Sequence, residues 1–170
     1  MHFKVAAEDK TNHRYPGVLV HPTSFPSPYG IGDMGRGAHE FIDFLAMAGQ
    51  HLWQVLPLGP SGNGNSPYQS YSVFAGQTLL ISPELLIEKK LLTEADVHPI
   101  PEFNADRVDY DKVTTYKTSL FKKAYEHFRH TADKNLLEEY DSFQSNNQYW
   151  LDDYCLYMAG QDYHNGLPWY

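Results

Sequence analysis

Two short apolar segments on either side of an amphipathic helical pattern constrain the fold more than any other feature. Residues 17–20 are rich in branched side chains and are closed by Pro22, which fits a short buried strand. Apolar residues then recur at helical spacing over residues 38–48, and Gly49 stands where a left-handed C-cap is expected. Residues 52–58 are again nearly all apolar. This last segment predicts a second buried strand.

A strand, a helix and a second strand in this order form a βαβ unit, whose two strands are parallel and joined by a right-handed crossover. Because parallel strands need cover on both faces, the unit belongs to a doubly wound sheet or to a barrel. In either fold the loops that follow the strands line the functional face. Here these loops are residues 21–35 and 59–75. Within the first of them, we predict Asp33 as the N-cap of the helix.

Beyond residue 80 the pattern becomes helical. Ser82 is a predicted N-cap with Pro83 at the first helical position of a short helix. A polar segment that contains proline, residues 96–109, is interpreted as a linker. Three further helices are predicted from apolar periodicity. They are expected at residues 113–128, 136–143 and 150–159.

Charge and cysteine content exclude several classes of function. The formal charge is -8 and the basic residues form no stripe, so nucleic acid is a poor partner. The single cysteine, Cys155, lies in an apolar helical pattern and is predicted to be a small buried residue in a reducing compartment. The nine histidines show no metal-ligand spacing, so we expect no metal site.

The termini and the hydropathy indicate where the protein resides. Residues 1–10 are polar and lack the apolar core of a signal peptide, and no segment has the length and apolarity of a membrane span. We therefore predict a cytoplasmic protein without a membrane partner.

The loop of residues 59–75 carries the strongest functional signal. It is long, polar and contains Tyr68 and Tyr71, and a loop of this length builds a binding site more often than it only reverses the chain. The alternative is an irregular loop whose two tyrosines pack locally. His21, after the first strand, is open to two interpretations as well: it points into the site, or loop hydrogen bonds fix it.

Four sequence blocks carry a resemblance to a known family. In their order and spacing they resemble the amylomaltases, the 4-alpha-glucanotransferases of glycoside hydrolase family 77. The blocks read GVLVHPTS from residue 17, YGIGD from residue 29, WQVLPLGP from residue 53 and SPYQS from residue 66.

The resemblance implies an α/β fold, the N-terminal part of a TIM-type (β/α)8 barrel with a helical inserted subdomain. Residues 1–80 would then be the start of the barrel with the substrate loop, and residues 81–170 a mostly helical insertion. Because a closed barrel takes roughly 250 residues, we expect the chain to be truncated before the rest of the barrel.

The resemblance also implies the reaction and its substrates. Family members transfer alpha-1,4-glucan segments between maltodextrins by a retaining mechanism, so the partners would be maltodextrins, starch or glycogen. In the SPYQS block, Tyr68 would lie against a glucose ring, with Ser66 and Pro67 shaping the loop beside it.

The family's nucleophilic Asp, acid/base Glu and supporting Asp come from later barrel strands, and the blocks that carry them are absent from these 170 residues. We therefore assign no catalytic residue, no cofactor and no metal, and expect the chain alone to be inactive. The alternative is a non-catalytic glucan-binding module or a remnant domain.

Overall fold

The structure, a computed structural model, describes residues 14–164. Residues 1–13 and 165–170 lie outside the described part, and with them the N-terminal segment that is predicted to lack a signal peptide. The described part consists of β1 (Gly17–Leu19), α1 (Arg36–Met47), β2 (Leu52–Gln54), α2 (Pro83–Glu88), α3 (Glu94–Val97), α4 (Tyr110–Thr131) and α5 (Lys134–Tyr163).

The two strands pair in parallel, which confirms the predicted strand, helix, strand arrangement. Val18 lies opposite Trp53, and the ladder is extended by a hydrogen bond from the Val20 amide to the Gln54 carbonyl at 3.1 Å. β2 ends at Gln54 and is shorter than the predicted residues 52–58. Pro57, which has no amide hydrogen, cannot contribute a donor to a ladder there.

Helix α1 covers one face of this small sheet through aromatic contacts. The Phe41 ring lies 5.3 Å from Trp53 and 5.0 Å from Phe25, and the Trp53 indole donates to the Val20 carbonyl at 2.8 Å. The helix ends where the sequence predicts, because Gly49 adopts a φ of 67° that a side chain would disfavour.

The predicted N-cap of α1 is wrong. Gly35 occupies the cap position without a side-chain hydrogen bond, whereas Asp33 lies two residues earlier. Its Oδ1 accepts a hydrogen bond from the Gly35 amide at 2.9 Å, and its other oxygen faces a buried lysine of α4. A partner so distant in sequence leaves no local signal, so the capping pattern is misleading here.

The N-cap predicted for α2 is confirmed. The Ser82 hydroxyl accepts from the Leu85 amide and Pro83 is the first helical residue. Two small cores then join α4 to the loop after β1. One contains Tyr29, Leu92, Val97, Leu120 and Ala124, and the other contains Ile31, Leu79 and Val113. Since both cores include residues from either side of residue 80, the division into residues 1–80 and 81–170 stays a prediction.

Helix α5 corrects two expectations. The helices predicted at residues 136–143 and 150–159 are one continuous helix. The polar stretch that suggests a break stays helical, and the side-chain amide of Asn147 within it donates to the Phe143 carbonyl one turn earlier at 2.8 Å. The predicted burial of Cys155 is wrong: its side chain is exposed, because no residue of α5 is buried against other described residues. Within residues 14–164, no helix combines the length and apolarity needed to cross a membrane.

Candidate functional site

The loops that follow β1 and β2, residues 21–35 (the first loop) and 59–75 (the second loop), meet at a cleft of about 160 Å³. Parallel strands place both loops at the same edge of the sheet, so their meeting is expected. The first loop contributes His21 and Ser24 to the lining, and the second loop contributes Ser61, Asn65 and Pro67.

The second loop is braced across its base like a hairpin. Ser61 and Ser70 form an antiparallel bridge, and the Gly62 amide donates to the Gln69 carbonyl at 2.7 Å. At its tip Gly64 has a φ of 81°, a left-handed conformation that favours glycine. This bracing presents residues 66–68 from a defined turn.

The three predicted sugar-binding residues lie on this turn. Tyr68 is 73% exposed, Ser66 is half-buried and accepts a hydrogen bond from the Tyr68 amide at 3.4 Å, and Pro67 lines the cleft. The Tyr68 ring is therefore available to a ligand. Tyr71 differs, because its ring lies 5.7 Å from Tyr157 of α5, as the local-packing alternative expects. The assignment of sugar contacts to Ser66, Pro67 and Tyr68 stays a prediction.

His21 is fixed by hydrogen bonds within its own loop while it also lines the cleft. Its Nδ1 lies 2.7 Å from the Thr23 hydroxyl and accepts from the Thr23 amide at 3.4 Å, which places the proton on Nε2. Burial lowers the pKa of His21, and the backbone of Pro57 partly opposes this shift. Nε2 is buried, and no described group meets it in good hydrogen-bond geometry. The lowered pKa favours a neutral imidazole.

Gln77 joins the second loop to the structure beneath it. Its side-chain amide donates to the Ser61 hydroxyl at 2.8 Å, and its backbone amide donates to the Leu58 carbonyl at 2.7 Å. Its side-chain oxygen accepts from the Leu79 amide at 3.3 Å. Sequence reasoning missed this residue, because a single glutamine in a loop gives no periodic or motif signal.

A buried ion pair lies behind the cleft. Lys117 of α4 places its ammonium 3.3 Å from a carboxylate oxygen of Asp33, and both side chains are buried. Burial raises the pKa of Asp33 and lowers the pKa of Lys117, while their mutual attraction opposes both shifts. Sequence analysis missed this pair too.

The chemistry of the cleft suits binding more than catalysis. Among the described residues, no aspartate or glutamate lines it, so the described lining offers hydroxyls, two side-chain amides, a neutral imidazole and apolar surface. Groups of this kind hydrogen-bond and pack against an uncharged polar ligand.

The family model described as 4-alpha-glucanotransferase matches residues 20–170. The chain belongs to this family. A 4-alpha-glucanotransferase of Synechocystis sp. is 46% identical over 157 residues, and one of Aquifex aeolicus is 47% identical over 159 residues. Each of these alignments covers 92% of this chain and 31% of the relative.

The solved amylomaltase of Streptococcus agalactiae in complex with acarbose matches with a TM-score of 0.83 and 32% identity. That match covers 91% of this chain and 31% of the other. The comparison confirms the amylomaltase resemblance and the mixed α/β class with a small parallel sheet. The chain spans about a third of the length of the 4-alpha-glucanotransferases that it matches.

Proposed function

We propose that this chain is the glucan-binding N-terminal part of a 4-alpha-glucanotransferase that transfers alpha-1,4-glucan segments between maltodextrins. The observation that carries the proposal is the exposed Tyr68 ring on a braced loop beside the cleft at the strand ends. The names of the relatives support the reaction, and the acarbose complex of the related amylomaltase supports a sugar ligand. The substrates proposed are maltodextrins, starch or glycogen.

The proposed architecture is the first βαβ unit of a (β/α)8 barrel. Residues 1–80 would begin the barrel and carry the substrate loop, and residues 81–170 would form a mostly helical inserted subdomain. The parallel pair β1 and β2, with α1 between them in sequence, supports this assignment.

Within this proposal the three turn residues have separate roles. The Tyr68 ring covers the apolar C–H face of a glucose unit, and its hydroxyl reaches a sugar oxygen or water. Pro67 restricts the turn, and the Ser66 hydroxyl holds the Tyr68 amide.

The proposed mechanism is a retaining transfer. One carboxylate attacks the anomeric carbon, a second carboxylic acid protonates the leaving glucan, and the 4-hydroxyl of an acceptor sugar opens the glycosyl-enzyme. Retention requires the two carboxyl groups to lie about 5–5.5 Å apart. Because no described carboxylate lines the cleft, we assign these 170 residues the binding role and no catalytic residue.

A second candidate function is a non-catalytic glucan-binding module or a remnant domain. The observation that favours it is the same lack of a carboxylate among the described residues that line the cleft. The two candidates differ when this chain is joined to the remaining part of a related enzyme: the first predicts transferase activity, and the second predicts none. Cytoplasmic localisation stays a prediction under either one.

A chimera tests the proposal. The matching region of the Aquifex aeolicus enzyme is replaced by this chain, and disproportionation of maltotriose is measured as glucose and longer maltodextrins. We expect turnover, with Tyr68→Ala lowering kcat/KM at least about 10-fold, the equivalent of ~1.4 kcal/mol. Tyr125→Ala is the control, because Tyr125 is also an exposed tyrosine but lies on α4 and not on the second loop.

Two results would contradict the proposal. A chimera that folds but has no activity would favour the remnant alternative, and equal kinetics in the Tyr68→Ala and Tyr125→Ala chimeras would remove Tyr68 from the sugar site. The 170-residue chain alone should release no glucose from maltotriose. Turnover by that chain would show that the reacting acids lie within it.

A further inference from the structure

Lys117 joins three separate segments of the chain at one buried point. Its side chain is 0% exposed, and its ammonium donates to the Leu79 carbonyl at 2.7 Å and to Asp33 Oδ2 at 3.3 Å. Lys117 belongs to α4, Asp33 to the first loop, and Leu79 to the short 3-10 turn Thr78–Leu80 that follows the second loop. One side chain therefore links the first loop to the turn that follows the second loop.

The junction around Lys117 is tight and has further direct links. The Met34 amide donates to the Leu80 carbonyl at 2.9 Å, and the Gly35 amide donates to Asp33 Oδ1 at 2.9 Å. A Cβ atom on Gly35 would clash with the Ser82 side chain. The first loop and residues 78–82 consequently approach each other without space for a shift.

The turn that Lys117 holds is also connected to the second loop. Gln77 precedes that turn directly and donates its side-chain amide to Ser61, which stands at the base of the second loop. Leu79 and Ile31 both line the cleft. A displacement of Leu79 would therefore be transmitted through Gln77 to the loop that carries Tyr68.

A gain in stability does not account for this ion pair. Desolvation is the largest influence on the pKa of each partner and outweighs their attraction. A buried pair of this kind contributes little net stability, and apolar side chains of similar volume often do as well. Its distinguishing property is directional, since an ammonium requires its acceptors at defined distances and angles.

We propose that Lys117 is a positioning residue that fixes the Thr78–Leu80 turn against the first loop and thereby holds the base of the second loop in its binding position. The consequence for sugar binding rests on the proposed function. The positioning itself does not, because it can be measured on the 170-residue chain without a ligand.

Hydrogen exchange of backbone amides on the full chain tests the proposal. In Lys117→Met we expect the Met34 and Gln77 amides to exchange at least about 10-fold faster, relative to the Ala48 amide of α1, because Leu80, which accepts from Met34, and Gln77, which donates to Leu58, both move with the released turn. Lys123→Met is the matched control, since Lys123 lies on the same helix and pairs with Asp96 at the surface. It should leave both amides unchanged.

The double variant Asp33→Asn/Lys117→Met separates positioning from stability. It leaves no charge buried at the junction, and the introduced amide oxygen can still accept from the Gly35 amide, so the melting temperature should recover toward wild type. Positioning predicts that the Met34 and Gln77 amides stay fast in this variant. Recovery of both amides together with the melting temperature, or unchanged amides in Lys117→Met, would overturn the proposal.

The double variant also keeps the test informative if Lys117→Met alone fails to fold. Failure of the proposed function would be seen in a separate measurement, as equal kinetics in the Tyr68→Ala and Tyr125→Ala chimeras. Tyr68→Ala in the 170-residue chain should leave the Met34 and Gln77 amides at wild-type rates, because both amides donate to acceptors outside the turn of residues 66–68.

Discussion

The first and second loops follow two paired strands, and both are rich in residues that favour turns, yet they have opposite environments. The first loop buries Tyr29, Ile31 and Asp33 against the helical part of the chain. The second loop exposes Tyr68, Val73 and Phe74. The difference shows that partners elsewhere in the chain, and not loop composition, decide which loop is scaffold and which is available to a ligand.

Among substitutions in the two loops, Asp33→Asn in the first loop is expected to have the largest effect on stability. It leaves the buried Lys117 ammonium without a counter-charge, which should lower the free energy of unfolding by about 3–5 kcal/mol. Urea unfolding at neutral pH measures this loss. A change below about 1 kcal/mol would contradict the view that the first loop is fixed from α4.

The pH dependence of Asp33→Asn gives a signature of the same pair. Asp33 raises the pKa of Lys117 and burial lowers it, so removing the carboxylate lowers that pKa further. A lysine whose pKa is lowered in the folded state destabilises the fold while it is charged. This penalty is lost as the pH rises from the folded-state pKa to the higher unfolded-state pKa, because only the unfolded chain still binds the proton there. The unfolding free energy of Asp33→Asn should therefore rise relative to wild type between neutral pH and 10.5, the usual lysine value. A constant difference over this range would be inconsistent with a charged, buried Lys117.

A pair of aliphatic truncations compares the two loops directly. Ile31 is 2% exposed and Val73 is 90% exposed. Ile31→Ala should cost about 2–5 kcal/mol through lost burial and a cavity, whereas Val73→Ala should change stability by less than about 0.5 kcal/mol. Similar losses of unfolding free energy in the two variants, measured with urea, would contradict the view that only the first loop is packed against the rest of the chain.

These differences also show how far the sequence could predict the fold. Local signals were sufficient for Gly49 at the end of α1 and for the Ser82 cap, because each depends on neighbouring residues, and the order strand, helix, strand was sufficient for the parallel pair. They failed for Asp33 because its partner Lys117 is 84 residues away. They failed again for α5, where the polar residues that suggest a break stay helical, with the side chains of Asn146 and Asn147 bonded one turn back.

The candidate site was predictable only in part. The SPYQS block located the turn of residues 66–68, and parallel strands explain why it lies beside the first loop. The contacts of Gln77 and Lys117 were not predictable, since they are long-range hydrogen bonds, from Gln77 to Ser61 and from Lys117 to Leu79 and Asp33. Cys155 was misassigned for a related reason: apolar periodicity on α5 indicates a face but not whether described residues cover it.

Limited proteolysis should distinguish the loops at a smaller energy scale. Chymotrypsin cleaves after aromatic residues that are not followed by proline, and we expect early cuts after Tyr68 or Phe74 and slow cuts after Tyr29. Because the first loop must open from the core before cleavage, the rates should differ at least about 10-fold, which corresponds to ~1.4 kcal/mol of local opening. Mass spectrometry of the fragments identifies the cleavage sites. Early cleavage in the first loop would refute the assignment of that loop as scaffold.

The smallest expected effect on stability comes from Tyr68→Ala. Since the ring is largely exposed, the free energy of unfolding should stay within about 0.5 kcal/mol of wild type. Thermal and urea unfolding check this value. A loss above about 2 kcal/mol would mean that Tyr68 is a packing residue, and its effect on sugar turnover could then be attributed to misfolding.

The most direct test of the proposed sugar binding by residues 66–68 is a titration of the 170-residue chain with maltoheptaose, followed by backbone amide chemical shifts. We predict weak binding, with a Kd of about millimolar, and chemical-shift changes concentrated in residues 61–69. These changes should be lost in Tyr68→Ala and retained in Tyr125→Ala. Shifts that lie elsewhere and persist in Tyr68→Ala, or no shifts at saturating sugar, would contradict it.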